Sequence, residues 1–530
     1  MTACTIDRIS LERYASPFGI QHASPRISWR FAGAAVGWRQ RRYELKIDRG
    51  GRIEEYHVES EQSAYVTWPS VPLKARERAR LSVRAIGVDN EATPWSQIEI
   101  ERGLDPTDWR ANVTLGSENR RDSVSAQRPY ILRKRFTLED TSQARLYVTA
   151  LGLYEVSING RGVGDHVLAP GWQSYSHRLH YQTFDISDYL RLGANEISAW
   201  IGEGWYSGRL GWAGGRRNIY GVDTGLLAQL EVGGRIVART GEAGWEWSYG
   251  RLISSEIYDG EIIDYRIENH TWQPARLAAR PSALLLSPEA PPVRRQHTIH
   301  PVDLITTPSG KCILDFGQNL VGWLRVRKAP AGRTITIRHA EVLEKGELGT
   351  RPLRVCKATD RITTPEGEGS VVINWEPKFT FHGFRYIEIA GWDEVDGGDV
   401  EAVVVYSDME RLGDFRCSHE WITKFHANTV WGLRGNFVSI PTDCPQRDER
   451  MGWTGDLQVC ATRMSVSDQL RCRSSHRPPV SCTIRPASSA IGLTMLHLSR
   501  KTKGECLPLS SRISSPVNQS ASLYGPMSPL

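Results

Sequence analysis

The sequence predicts a multidomain, mainly β chain: tandem β-sandwich and jelly-roll modules followed by a helical stretch. Three observations carry this. Apolar and polar residues alternate with a period near two through most of the first 410 residues, and turn-forming residues separate the runs. A chain of 530 residues is long enough for roughly three or four domains. Beyond residue 411 the apolar spacing changes to one that suits a helix.

Residues 1–105 contain "YELKID" (43–48) and "ARLSVRAIG" (79–87), bracketed by "PRISWRF" and "ATPWSQIEIERG". Short alternating strands with turns between them predict a small sandwich of the fibronectin type III kind. Residues 106–300 contain strands of five to eight residues joined by Asn-Gly, Gly-Gly and Gly-Ala-Asn turns. Asn159-Gly160 between two apolar runs predicts a tight hairpin, and the unit as a whole reads as a jelly roll. Here Trp172, Tyr175, Trp205, Tyr206 and Trp212 are either platforms for sugar faces or core and loop anchors. Residues 301–410 alternate again in "KCILDFGQNLVGWLRVRKAPAGRTITIRHAEVL" and "FTFHGFRYIEIAGW", which predicts a third β unit. Its Glu341 faces either a site or solvent. In "CSHEWITKFHANTVWGLRGNFV" the positions of Trp421, Ile422, Phe425, Val430, Trp431 and Leu433 predict a helix, with Ser418 as its N-cap.

Composition narrows the function classes. The apolar fraction is 40%, ample for several cores. No stretch approaches the roughly 18 apolar residues of a membrane span, and the N-terminus carries charges where a signal peptide needs an apolar run. The expected compartment is therefore the cytoplasm, and the nine cysteines, which form no CxxC, are expected as free thiols. The net charge of +6 is uneven. Residues 471–530 hold eight Lys+Arg and one acid, Glu505, so the first 470 hold 58 basic and 59 acidic residues. Such a body gives no reason to expect nucleic acid or an anionic membrane as partner. The last 60 residues hold thirteen serines, seven prolines and neither Trp nor Phe. They are expected to lack a packed core.

The chemistry concentrates in "PTDCPQRDERMGWTGDLQ", residues 441–458. Asp443, Asp448, Glu449 and Asp456 fall inside fourteen residues. Crowded acids raise one another's pKa, so one of them is expected to stay protonated and serve as a general acid. Arg447 and Arg450 keep the others ionised, Trp453 supplies an apolar wall, and Gly452 and Gly455 allow a tight turn. These are the parts of a sugar site: a proton donor, carboxylates for hydroxyls and an aromatic platform. The alternative is a solvated, salt-bridged loop. The acid spacing does not fit a calcium loop, no histidine lies nearby, and no metal or other cofactor is expected.

"DCPQRDERMGWTGD" resembles the active-site motif of bacterial α-L-rhamnosidases, the family 78 glycoside hydrolases. "GLYEVSINGRGVGDHVLAPGWQSY" with "GEGWYSGRLGW" is similar to their N-terminal β-sandwich, and "ILDFGQNLVGWLRV" with "FHGFRYIEI" to the β domain before their catalytic domain. The likeness covers residues 1 to about 470. It implies β modules followed by an (α/α)6 barrel, of which residues 411–470 would be the start. It implies hydrolysis of terminal α-L-rhamnosyl residues with inversion, on rhamnose-containing glycosides or oligosaccharides. By position in the motif, Glu449 is the implied general acid, Asp443 and Asp456 bind rhamnose, and Trp453 stacks on it. Asp448 tunes the acid or supports it, and is the fallback donor. Inversion also needs a base across the sugar. The family places that glutamate far later in the barrel, and Glu505 does not have such a context. The tail reads like a coding sequence in the wrong frame, so the expectation is a truncated or frameshifted member without activity. A non-catalytic, rhamnose-binding β protein is the other reading.

Overall fold

The computed structural model describes residues 4–34, 37–116, 125–411 and 413–453, which form three β units and one long helix. In the first unit the inward positions of two alternating strands meet directly. Tyr43, Leu45 and Ile47 of Gln40–Arg49 lie opposite Ala85, Val83 and Leu81 of Arg78–Gly87, and all six are buried in one core. Ser96–Arg102 and Phe18–Ile20 extend this sheet on one side and Arg52–Glu59 on the other. Thr5–Leu11 pairs with Ile27–Ala32 as a second layer, so each strand hides one face and wets the other.

Two six-stranded sheets make the second unit. Ala144–Leu151 and Gly225–Val232 run through one of them, and Gly193–Gly202 and Tyr130–Leu138 through the other. Leu146, Val148, Leu226 and Leu230 pack with Leu132, Ile197 and Ile201 in a single core. Asn159 and Gly160 take φ values of 51° and 79° between Leu153–Ile158 and Arg161–Gly162. This is the tight hairpin that the dipeptide predicts, with positive φ at both central residues.

The third unit is a ten-stranded sheet that reaches back across residue 300. Leu252–Glu256 and Gly260–Asp264 form its edge hairpin, and Val293–Ile299 pairs with Val400–Ser407. At its centre the 19-residue strand Cys312–Pro330 pairs with His382–Ala390 and Val400–Ser407. Such a long strand must bend. Its register shifts between Asp315 and Leu320, and Gly322 takes a φ of 153° where a Cβ would lie 1.8 Å from the Val403 carbonyl oxygen. Only glycine fits there.

The helix spans Glu420–Asn436. Its N-cap is His419, with no capping side-chain bond, rather than Ser418, because the residue that leaves the extended backbone falls one position later. Trp431 packs on the third unit's core, and the Arg434 guanidinium lies 5.2 Å from the Tyr406 ring. The opposite end stays open: Trp421 is 79% exposed and Phe425 60%. No described helix is long and apolar enough to cross a membrane. Asp456 and the 471–530 tail lie outside the described residues.

Candidate active site

After the helix, Phe437–Val438 pairs with Ile440–Pro441, and the charged loop then runs between the second and third β units. Its anchor is Arg450, which is buried. The guanidinium donates to the carbonyls of Ile257 (3.1 Å), Phe381 (3.0 Å) and Arg447 (3.0 Å). It also lies 5.2 Å from the Tyr258 ring and 4.7 Å from Phe381. Carbonyl oxygens and ring faces thus replace water around a buried cation.

The positive φ of the turn falls on Glu449 (127°) and Arg450 (46°). Such backbone is costly for residues with a side chain and persists only when the surroundings impose it. They do so here. Tyr258 donates its hydroxyl to the Glu449 carbonyl at 2.8 Å, and Gly211 of the second unit forms a β-bridge with Glu449. The Glu449 carboxylate accepts from Arg354 Nη1 (3.0 Å) and from Trp453 Nε1 (3.2 Å). Arg447 Nε stands 3.6 Å away. Arg354 itself sits at a φ of 57°. Burial pushes the Glu449 carboxyl up, but the Arg354 and Trp453 hydrogen bonds and the charge of Arg447 outweigh it, and the group is held below its usual range. Crowding therefore does not leave Glu449 protonated in the resting site. Neighbouring acids are visible in the sequence, whereas Arg354, 95 residues away, meets Glu449 only in the fold.

The neighbouring acids have separate partners. Asp443 accepts from Arg447 (3.0 Å) and from the Met451 amide (3.2 Å). Asp448 is only 1% exposed. One of its oxygens accepts from the Gly214 amide at 3.2 Å, while the other is buried without a partner. Donor atoms of Asp443, Cys444 and Glu449 lie within 4.8 Å of one another. Burial pushes the Cys444 thiol up to about 12, and arginines already occupy both carboxylates, so the group is poorly suited to a cation. Buried His339, Asp360 and His382 make a second such group. Their two imidazoles stack at 4.1 Å and 21°, and the Nε2 atoms of His382 and His339 face the same Asp360 oxygen at 3.1 Å and 3.8 Å.

Of the five aromatic residues considered as sugar platforms, Tyr175, Trp205 and Tyr206 are buried, and Trp172 stacks on Trp205 and donates to the Tyr220 hydroxyl. They are core. Trp212 alone reaches the charged loop, where its ring stacks on Trp453 at 6.2 Å and 23°. Glu341 accepts from Asn319 at 2.8 Å and takes no part in the loop's contacts. A cleft of about 510 Å³ that does not include Glu449 lies where the first and second units meet Val293 and Ile440, lined also by Tyr14, Phe18, His166 and Trp172.

Four family models match the chain in order. They are the Rha78A-like N-terminal immunoglobulin domain over residues 6–104, the alpha-L-rhamnosidase N-terminal domain over 139–297, the bacterial alpha-L-rhamnosidase concanavalin-like domain over 305–406, and the bacterial alpha-L-rhamnosidase six-hairpin glycosidase domain over 410–471. The chain belongs to the bacterial α-L-rhamnosidase family. An α-L-rhamnosidase of Formosa agariphila is 35% identical over 489 residues, which are 84% of this chain and 52% of that protein. The native α-L-rhamnosidase structure from Aspergillus terreus matches with a TM-score of 0.81 and 47% identity, over 86% of this chain and 55% of that one. The Streptomyces avermitilis α-L-rhamnosidase complexed with L-rhamnose matches with a TM-score of 0.78 and 25% identity, over 93% and 68%. The chain spans 52% or 53% of the length of three curated relatives. Within this rhamnosidase-family chain the six-hairpin match begins where the β units end, so the Glu449 loop lies inside it.

Proposed function

We propose that the charged loop is the acid half of an α-L-rhamnoside site, built for hydrolysis of terminal α-L-rhamnosyl residues with inversion. The observation that carries this is the Glu449 carboxylate, carried on strained backbone, fixed beside the half-exposed Trp453 indole and paired with a half-exposed arginine from another unit. In this reading Glu449 protonates the glycosidic oxygen, Trp453 takes the apolar face of the sugar, and Asp443 and Asp456 take hydroxyls. Arg447 and Asp448 fix the loop from either side of it. Glu449 must gain a proton before it can donate one, so Arg354, whose side chain is 46% exposed, has to swing away when a glycoside enters.

An inverting site also needs a base with room for one water between it and the sugar. Among the described residues Asp443 is tied to Arg447 and Met451, and Asp448 is buried beneath Gly214. Neither is free to activate a water. The proposal is therefore a chain that recognises α-L-rhamnosides and turns them over poorly. The Arg354 ion pair also favours a second reading, a purely rhamnose-binding β protein in which Glu449 stays ionised. The test is release of p-nitrophenol from p-nitrophenyl α-L-rhamnoside by the purified chain beside its Glu449→Gln variant. Equal, background-level release is expected. Clear release that the variant abolishes would show that a base is supplied, and would overturn this account of the chain.

A further inference from the structure

We propose that His339, His382 and Asp360, on three neighbouring strands of the third β unit, form a buried site for one divalent transition-metal ion of the zinc class. The site stands or falls independently of the rhamnoside reading of the Glu449 loop.

The first ground is placement. Thr334–Ala340 pairs with Thr359–Thr363 on one side and with His382–Ala390 on the other, and each strand contributes one of the three side chains, all fully buried. Their donor atoms lie within 4.8 Å of one another. Asp360 is fixed from behind: its Oδ1 accepts from the Glu261 amide at 2.7 Å. Its Oδ2 faces both rings, with His382 Nε2 at 3.1 Å and His339 Nε2 at 3.8 Å. Around a tetrahedral zinc ion, with bonds of about 2.0–2.1 Å, ligand atoms stand about 3.3 Å apart. The two spacings bracket that value, so an ion enters with shifts of about half an ångström or less.

The second ground is where the protons go. His339 Nδ1 lies 3.1 Å from the Ala358 carbonyl oxygen, which can only accept, so Nδ1 carries the ring's proton. Nε2 is then a bare lone pair, and among the described residues it has no hydrogen-bond partner. What it faces is Asp360 Oδ2, another acceptor. A second proton would remove this clash only by charging a fully buried ring, which desolvation opposes. A metal ion removes it by taking both lone pairs as ligands, and a backbone carbonyl on the far nitrogen is how ligating histidines are held in the right tautomer. The proton that His382 Nε2 shares with Asp360 would pass to His382 Nδ1, which has no partner among the described residues. The third ground is ligand type. Two imidazoles and one carboxylate suit zinc and its first-row neighbours, whereas calcium and magnesium take oxygen ligands, and water completes the fourth position. The ion would brace the platform of the charged loop: Phe381, the residue before His382, lends its carbonyl to Arg450 at 3.0 Å.

The test counts metal in the untagged full chain, purified from culture supplemented with zinc and calcium and passed through EDTA, which strips surface ions quickly and a buried one slowly. Plasma mass spectrometry should find about one zinc ion per chain. His339→Asn, whose amide still reaches towards the Ala358 carbonyl, and Asp360→Asn, which can still accept from the Glu261 amide, should each retain about tenfold less zinc or lower still, with circular dichroism confirming that they fold. Cys444→Ser, in the other candidate cluster, should keep the parent's content. Chain from cobalt-supplemented culture should show the visible d–d absorption of Co2+ held by nitrogen and oxygen, which reads the site in the parent even where a variant fails to fold. A parent without zinc, parent-level zinc in His339→Asn or Asp360→Asn, loss of zinc in Cys444→Ser, calcium retained in place of zinc, or cobalt-grown chain without that band would each overturn the site.

Discussion

Glu449 and Arg354 meet across 95 residues of chain, and both sit on backbone that side chains resist. Their pairing gives the site a resting, ionised state. The sign of its pH dependence follows. A carboxyl held below its unfolded value lends stability above that value, and loses it as pH falls through the folded one. If ionised Glu449 contacts rhamnose, affinity for L-rhamnose falls over the same acid range. Arg354→Ala should move the midpoint of that fall upward, towards the ordinary carboxyl value of 4.5. It should cost less than about 1 kcal/mol of stability, because a half-exposed ion pair is worth little. Calorimetric L-rhamnose titrations across the acid range read the midpoint, and an unmoved one would detach Arg354 from Glu449.

At the scale of elements, the central strand of the third unit depends on one residue. Gly322→Ala would drive a Cβ into the Val403 carbonyl oxygen at 1.8 Å and should destabilise the protein by about 3 kcal/mol or more, measured by denaturant unfolding. The same unit carries an acid-labile cluster, Glu401 with Arg325 and Arg327. Burial would raise the Glu401 carboxyl, but hydrogen bonds from Arg327 and Arg325 bring it down to about 2, against 4.5 unfolded. Its contribution is present above pH 4.5 and is lost as pH falls towards 2. Glu401→Gln should flatten that part of the pH–stability curve and lower stability at neutral pH. The helix makes a different prediction: Trp421 and Phe425 leave a large apolar face in water, and Trp421→Ser with Phe425→Ser should reduce self-association in light scattering without lowering the melting temperature. Sequence made the elements legible wherever the cause was local. The alternation at Tyr43, Leu45 and Ile47 and the Asn159-Gly160 turn both act within a few residues. The N-cap slipped from Ser418 to His419 because helix ends are set by backbone conformation, which neighbouring cap-forming residues determine only loosely.

At the scale of the whole molecule, the site is a product of assembly. The charged loop was legible as a carboxylate cluster beside Trp453. Arg354, Tyr258 and Gly211 were not, because each reaches Glu449 through packing of one unit on another. The aromatic residues of the second unit show the same limit. Five had equal claims by type: burial removed three, Trp172 is taken up by Trp205 and Tyr220, and one turn placed Trp212 against the loop. The central proposal is that this assembled loop recognises α-L-rhamnose. Titration calorimetry of L-rhamnose into the purified full chain, beside its Trp453→Ala variant, tests it most directly. The account predicts saturable one-site binding that the variant weakens by about tenfold or more. No saturable heat, or the same affinity in Trp453→Ala, would contradict it.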